Sequence, residues 1–301
     1  MKILILGCKG QLGLCLNDQL VNEEYEVFNT SRYQIDISNL EVTKDKILQI
    51  SPDVIVNASA YTAVDQAEEK EEAADLINNV AVKNIASICN DLNCWLIHIS
   101  TDYVYDGSSH FPYIETDKPN PIGIYGQTKL NGDIAIQQSG CKYIIIRTSW
   151  VYSEYGNNFL KTMIALGLER DELSIVSDQI GCPTYAQDIA KVIILILKNL
   201  YRKDDVVGIY NYAGSHGCSW AEFAGDIFKE AIKNNIIQDI PKITEIKTSD
   251  FPTLAKRPMY SILNCSKINK VFEIKPSDYK MGIFSAVKGY KRNKKNNINY
   301  D

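Results

Sequence analysis

The sequence predicts an α/β fold, a doubly wound parallel sheet with a smaller C-terminal α/β lobe interleaved with it. Three observations point that way. Strand-like and helix-like stretches alternate through the first half of the 301 residues, as they do when parallel strands are joined by helical crossovers. Several strand-like stretches are unbroken apolar runs, which suits strands covered on both faces. The first run leads straight into a glycine-spaced turn that opens a helix, the arrangement of a Rossmann-type dinucleotide fold.

Residues 2–6 (KILIL) read as the first strand, and Gly7 to Gly13 lead into a helical pattern through Leu20. Tyr25–Phe28 (YEVF) reads as a second strand. Asp36–Ile50 opens at a capping-type stretch, IDISN, and carries helical periodicity. Asp53–Asn57 (DVIVN) is a third strand, Glu68–Asp91 a long charge-studded helix, and Trp95–Ser100 (WLIHIS) a fourth strand. A helix over Gly126–Gln138 precedes a fifth strand over Lys142–Val151.

Beyond about residue 150, loops rich in Gly, Asn and Pro (SEYGNN, SDQIGCPT, YAGSHGCS) interrupt shorter elements. The expected division is a cofactor-binding domain over 1–150, with about 171–200 returning to it, and a substrate-binding lobe over most of 151–301. Val192–Leu197 is apolar but closed off by Lys191 and Lys198, so a buried helix is expected there. The tail KRNKKNNINYD is polar and basic, and is expected to be solvated and frayed. No internal repeat is evident.

Composition narrows the function. The chain is 45% hydrophobic and 23% charged, as an ordinary globular protein is, and its net charge of −5 supplies no global basic field for nucleic acid or an anionic membrane. An anionic ligand must then be held by local groups, in a pocket. The opening MKILILGCKG is apolar too briefly for a signal-peptide core or a membrane span, so a cytoplasmic location is expected. Eight cysteines include no CxxC pair and no zinc-finger spacing to histidine, and read as reduced thiols used as small apolar residues.

Gly7, Gly10 and Gly13 are spaced GxxGxxG. The first permits the tight turn, the second lets backbone approach a pyrophosphate, and the third lets the helix sit close on the sheet with its N-terminal N–H groups facing phosphate. The acidic residue that would bind the adenosine ribose at the end of the second strand is missing. Asn29-Thr30-Ser31-Arg32 stands there instead. A hydroxyl and a guanidinium suit a 2′-phosphate, so Ser31 and Arg32 predict NADPH in preference to NADH.

Tyr125 and Lys129 form YxxxK and would share one helix face. A lysine so placed can lower the phenol's pKa and reach the nicotinamide ribose, and the tyrosine can then give a proton to a carbonyl oxygen as hydride arrives at carbon. Thr101, at the carboxyl end of the fourth strand, can hydrogen-bond the same carbonyl and polarise it. Thr101, Tyr125 and Lys129 thus agree on one mechanism, a carbonyl reduction.

The motifs GxxGQLG, NASAYTAVDQAE (57–68), STDYVYDG (100–107), PIGIYGQTKL (121–130), IIIRTSWVYSEYGNNF (144–159), DQIGCPT (178–184) and KRPMYSIL (256–263) span nearly the whole chain. Together they resemble the dTDP-4-dehydrorhamnose reductase family of the extended short-chain dehydrogenases/reductases. The resemblance implies NADPH-dependent reduction of the C4 ketone of dTDP-4-dehydro-β-L-rhamnose, the last step in making dTDP-L-rhamnose for surface polysaccharide. It places Gly10, Gln11 and Leu12 under the pyrophosphate, Asp36 and Ile37 beside the adenine, and Ala60, Tyr61 and Thr62 on the ribose and pyrophosphate side. Asp102 and Trp150 match positions associated with the sugar nucleotide, and Asn78 matches a helix asparagine that serves a proton relay in the wider group; an ordinary surface amide is the alternative for Asn78, and core packing for Trp150. Some relatives dimerise through magnesium bound by glutamates, one of them two residues after the last loop glycine. Cys15 stands there in this chain, a poor ligand for magnesium, so no metal is expected, and a monomer or homodimer. Two other readings remain open at this point: another nucleotide-sugar reductase or an epimerase of the same group, and a regulatory subunit resembling that of methionine adenosyltransferase.

Overall fold

The computed structural model describes residues 1–203 and 205–296. The chain opens with β1 (Lys2–Leu6), α1 (Gln11–Leu20), β2 (Glu26–Thr30), α2 (Leu40–Ile50) and β3 (Val54–Asn57). Two short helices follow, α3 (Val64–Ala67) and α4 (Glu71–Asp75), then a π-helical turn over Leu76–Val80 and α5 (Ala81–Leu92). β4 (Trp95–Thr101) runs into a 3-10 turn (Asp102–Val104), and α6 (Ile124–Gln138) leads to β5 (Lys142–Thr148). The second half comprises β6 (Val151–Tyr152), α7 (Phe159–Glu169), β7 (Glu172–Val176), β8 (Ile180–Gly181), β9 (Thr184–Tyr185) and α8 (Ala186–Asn199). It ends with β10 (Gly208–Asn211), β11 (Cys218–Ser219), α9 (Trp220–Lys233), β12 (Lys242–Ile246), α10 (Ser266–Phe272) and α11 (Tyr279–Lys295).

The six-stranded sheet has the order β10-β5-β4-β3-β1-β2, and every pairing in it is parallel. The chain steps from β1 to one side and from β3 to the other, so the winding reverses between them. That reversal leaves a crevice at the strands' carboxyl ends.

Alternation along each strand explains the apolar runs. Ile3, Ile5, Val54, Val56, Ile97, Ile144 and Ile146 belong to the core beneath α1 and α8. Leu4, Leu6, Ile55, Leu96 and Ile145 belong to the opposite core, with Ile47 of α2, Ile85 of α5 and Ile136 of α6. Each such side chain contributes about 1.5–3 kcal/mol by burial, which commits the strands to lie between two helical layers. A third core joins Leu160 and Ile164 of α7, Phe223 and Phe228 of α9, and Ile283 and Val287 of α11.

Several boundaries differ from the sequence reading. The fifth strand stops at Thr148, because Trp150 takes a left-handed φ of 46° and turns the chain into β6, which pairs with β9. The helix read from Asp36 begins at Leu40. Asp36 accepts from the Ser38 N–H instead, and Asn39 caps Val42 (3.2 Å). The long helix read over 68–91 carries the π-helical turn in its middle. The tail is helical as far as Lys295, held by Tyr279, Ile283, Ala286 and Val287 on one buried stripe; its last five residues, 297–301, lie outside the described residues. Residues 186–199 lie against α1, whereas Glu172–Val176 pairs with Lys242–Ile246, and β10 adds a sixth strand to the sheet that no sequence signal announced. Among the described residues no helix is long and apolar enough to cross a membrane. All eight cysteines are free and buried.

Candidate active site

A cavity of about 840 Å³ opens at the carboxyl ends of β1, β3, β4 and β5. Its floor is the glycine turn. Gly7 has a φ of 84°, a conformation L side chains rarely adopt, and its N–H and that of Cys8 donate to Thr30 O (3.0 Å each). Gly10 is the N-cap of α1; no side chain caps the helix and no acidic residue stands in its first turn. Gly10, Gln11 and Leu12 line the cavity, so uncapped N–H groups at the positive end of α1 border it, a cradle that fits a pyrophosphate. Gly13 does not line it. A Cβ on Gly13 would stand 2.3 Å from Gly7 O and 2.6 Å from Cys8 Cα, so this glycine permits the close seat of helix on turn.

Gln11 ties the turn to the second half of the chain. Its Oε1 accepts from Ser153 Oγ (3.0 Å) and Asn158 Nδ2 (2.8 Å), and its Nε2 donates to Val151 O (3.4 Å). At one end of the cavity stand Ser31, Arg32, Asp36 and Ile37. Ser31 is buried and bonded to Gln34, while the Arg32 side chain is 82% exposed with its Nε 3.1 Å from Asp36 Oδ2. The Ser38 hydroxyl, with help from Arg32, holds the Asp36 carboxyl below the usual range. Lys9, which sequence reasoning passed over, enters the same end, its ammonium 5.7 Å from the Tyr33 ring centre.

Ala60, Tyr61 and Thr62 follow β3 along the wall. Asn78, on the π-helical turn, clamps them: its Oδ1 accepts from Tyr61 N–H (2.9 Å) and its Nδ2 donates to Tyr61 O (3.1 Å) and Thr128 Oγ1 (3.2 Å). Only 1% exposed, Asn78 is no surface amide. The π turn is what aims it inward.

Thr101 ends β4. Its Oγ1 accepts from Tyr103 N–H (3.2 Å) and donates to Asp102 Oδ1 (3.1 Å). Tyr125 and Lys129 lie one turn apart on α6, and all three line the cavity. Gly126 sets the height of that helix, since a Cβ there would meet Tyr103 O at 2.1 Å. The Tyr125 ring meets Tyr103 edge-on at 5.5 Å. Burial pushes the Tyr125 phenol up, and the Thr101 hydroxyl opposes that rise. Lys129 is 1% exposed; its Nζ donates to Ile99 O (2.6 Å) and stands 3.1 Å from His98 Nε2. Burial pushes the amine down to about 8, against the opposing pull of Asp133.

Asp102 is buried, and burial raises its carboxyl to about 6 despite hydrogen bonds from Ser261 and Thr101. Trp150 faces the cavity and stacks on Trp220, ring centres 3.4 Å apart and 5° from parallel. A Cβ on Gly181 would lie 2.4 Å from Trp150 Cε2, so the glycine makes room for the indole. Trp220 and Arg257 also line the site, and Arg257 is bound to Asp65 Oδ2 at 2.8 Å. Arg257 lies within the KRPMYSIL motif, but no spacing rule brings residues 220 or 257 to a cavity built on the first half. Cys15 is buried in the core beneath α1, its thiol raised by burial. Among the described residues no group of three or more His, Cys, Asp and Glu side chains could hold a metal ion.

The RmlD substrate binding domain family matches residues 1–292. A dTDP-4-dehydrorhamnose reductase of Aggregatibacter actinomycetemcomitans is 42% identical over 94% of this chain and 97% of its own length. One of Escherichia coli (strain K12) is 40% identical over 94% and 96%. A crystal structure of the Bacillus anthracis str. Ames dTDP-4-dehydrorhamnose reductase in complex with NADP superposes with a TM-score of 0.87 at 36% identity, over 95% of this chain and 98% of that one. The Clostridium acetobutylicum structure of a dTDP-4-dehydrorhamnose reductase gives 0.89 at 36% identity, over 96% and 99%.

Proposed function

The chain belongs to the RmlD family of dTDP-4-dehydrorhamnose reductases, and from that premise we propose that it uses NADPH to reduce the C4 ketone of dTDP-4-dehydro-β-L-rhamnose, giving dTDP-β-L-rhamnose. The observation that carries the reading is that Thr101, Tyr125 and Lys129 border the same cavity as the glycine turn, at the carboxyl ends of a parallel sheet. NADPH bound there supplies the hydride. The turn at Gly7, Gly10, Gln11 and Leu12 would hold its pyrophosphate, Ser31 and Arg32 its 2′-phosphate, Asp36 and Ile37 its adenine, and Ala60–Thr62 the ribose side. Asn78 keeps that last wall in place through Tyr61.

On the substrate side, the Thr101 hydroxyl would turn from Asp102 to donate to the ketone oxygen, Tyr125 gives that oxygen its proton, and Lys129 steadies the phenolate that remains. Asp102 and Trp150 orient the sugar nucleotide. The first 150 residues, with α8 returning to them, form the cofactor half, and most of the remainder forms the sugar-nucleotide half. A cytoplasmic enzyme, monomeric or homodimeric, acting on a small molecule and not on nucleic acid, fits this reading. The test is NADPH oxidation across a panel of nucleotide-linked 4-keto sugars, with the dTDP-linked 6-deoxy-4-hexulose turned over fastest. Tightly held NAD⁺ in the purified protein, without net NADPH oxidation, would point to an epimerase and overturn it.

A further inference from the structure

Behind the catalytic wall, Asn57, His98 and Lys129 form a buried chain of contacts, exposed by 1%, 0% and 1%. The orientation of Asn57 is fixed: its Oδ1 accepts from the backbone N–H of Ser59 (3.1 Å) and from Ser59 Oγ (2.6 Å). Its Nδ2, which can only donate, therefore faces His98 Nδ1 at 3.2 Å. That ring nitrogen must be the acceptor, so the proton of the neutral imidazole sits on Nε2, the nitrogen 3.1 Å from Lys129 Nζ. Burial, with Lys129 beside the ring, opposes a second ring proton and drives His98 well below its ordinary pKa.

Lys129 Nζ already donates to Ile99 O at 2.6 Å. An uncharged amine can do that and accept from His98 Nε2–H, whereas an ammonium has no lone pair and would meet the imidazole donor to donor.

We infer that His98, fixed by Asn57 as the Nε2–H tautomer, is a positioning residue for Lys129: it presents the amine with a permanent N–H donor and so favours its uncharged form. The inference rests on the reading above in taking Lys129 to serve the reaction. The other groups around Lys129 pull differently. Asp133, one turn further along α6, favours the ammonium, but Arg147 Nε of β5 (3.2 Å) and Ser100 Oγ of β4 (2.9 Å) engage its carboxyl. Tyr125 lies one turn before Lys129, and Asp102 and Tyr103 of the 3-10 turn face that tyrosine rather than the amine. His98 Nε2–H is the fixed donor aimed at Nζ, and Ile99 O the fixed acceptor beside it. An amine balanced between its two charge states can answer the charge left on Tyr125 when its proton departs.

The test follows the Lys129 side chain in the full-length chain labelled with ¹³Cε-lysine, its resonance identified by its loss in Lys129→Met. In His98→Phe the titration midpoint of Lys129 is expected to rise by about one pH unit, the worth of one buried hydrogen bond, and the alkaline limb of kcat to rise with it. Asn57→Ala keeps the imidazole but frees it to turn to the Nδ1–H tautomer and accept from the ammonium, so it also raises the midpoint; it decides alone if His98→Phe does not fold. An unchanged Lys129 midpoint in the folded variants overturns the inference. A raised midpoint with an unmoved kcat limb supports the role of His98 and overturns that of Lys129 in the reaction.

Discussion

Tyr125 and Asp102 show how burial decides chemistry one residue at a time. The phenol of Tyr125 is raised by burial and is therefore protonated across the neutral range, as a proton donor must be. Tyr125→Phe is expected to lower kcat by about 10²–10⁴-fold while leaving the NADPH dissociation constant unchanged, measured by fluorescence titration beside steady-state rates. Asp102 titrates at about 6 in the folded chain against 3.8 ordinarily. Between those two values the folded state holds more protons than the unfolded state, so this carboxyl's contribution to stability falls as pH rises through the window. Above it, the buried carboxylate is a net cost. Asp102→Asn should accordingly raise the melting temperature at pH 8, by about 1–3 kcal/mol of stability, with the gain gone near pH 4. The same variant should lose kcat/KM, which separates a site residue from one kept for the fold.

At the scale of elements, two seats position the site: α1 on the glycine turn and α6 on the 3-10 turn. Both depend on a glycine whose Cβ would overlap backbone, Gly13 against Gly7 O and Gly126 against Tyr103 O. Neither contact can be relieved by rotating a side chain. Gly13→Ala should therefore destabilise the chain by about 1–3 kcal/mol and weaken NADPH binding, read by thermal unfolding and calorimetry. The element boundaries that sequence periodicity misplaced have local causes. A π turn takes one extra residue and so shifts which residues share a face, Asn78 among the buried ones, but one such offset does not stand out in the pattern of charges over 68–91. The strand read through Val151 breaks because Gly181 leaves space for the Trp150 indole, a fact of a partner element more than thirty residues away.

Across the whole molecule, the cavity is closed by both halves. Gln11 reaches Val151, Ser153 and Asn158, and Arg257 reaches Asp65, so the loops around the site are fastened across the chain. A ligand lodged there binds the folded arrangement of both halves and not the unfolded chain. NADPH at a hundredfold excess over its dissociation constant should then add about 2.7 kcal/mol and raise a single unfolding transition, followed by scanning calorimetry. Two resolved transitions, with only the earlier one moved, would show that the halves unfold independently.

What the sequence determined by itself was whatever depends on short-range pattern. The apolar strand runs, the turn from Gly7 to Gly13 and the pair Tyr125 and Lys129 are each legible because one element or one turn contains them. Thr101 joined them because a strand end is a place that the fold class itself defines. Tertiary structure alone decided the rest: β10 as the sixth strand, Trp220 and Arg257 in the site, Asn78 turned onto Tyr61, and His98 set against Lys129. Each of these depends on residues far apart in sequence, and on which face of a strand or helix the packed cores leave free. Composition and periodicity fix the faces of an element, but the partner that each face meets is settled only when the layers close.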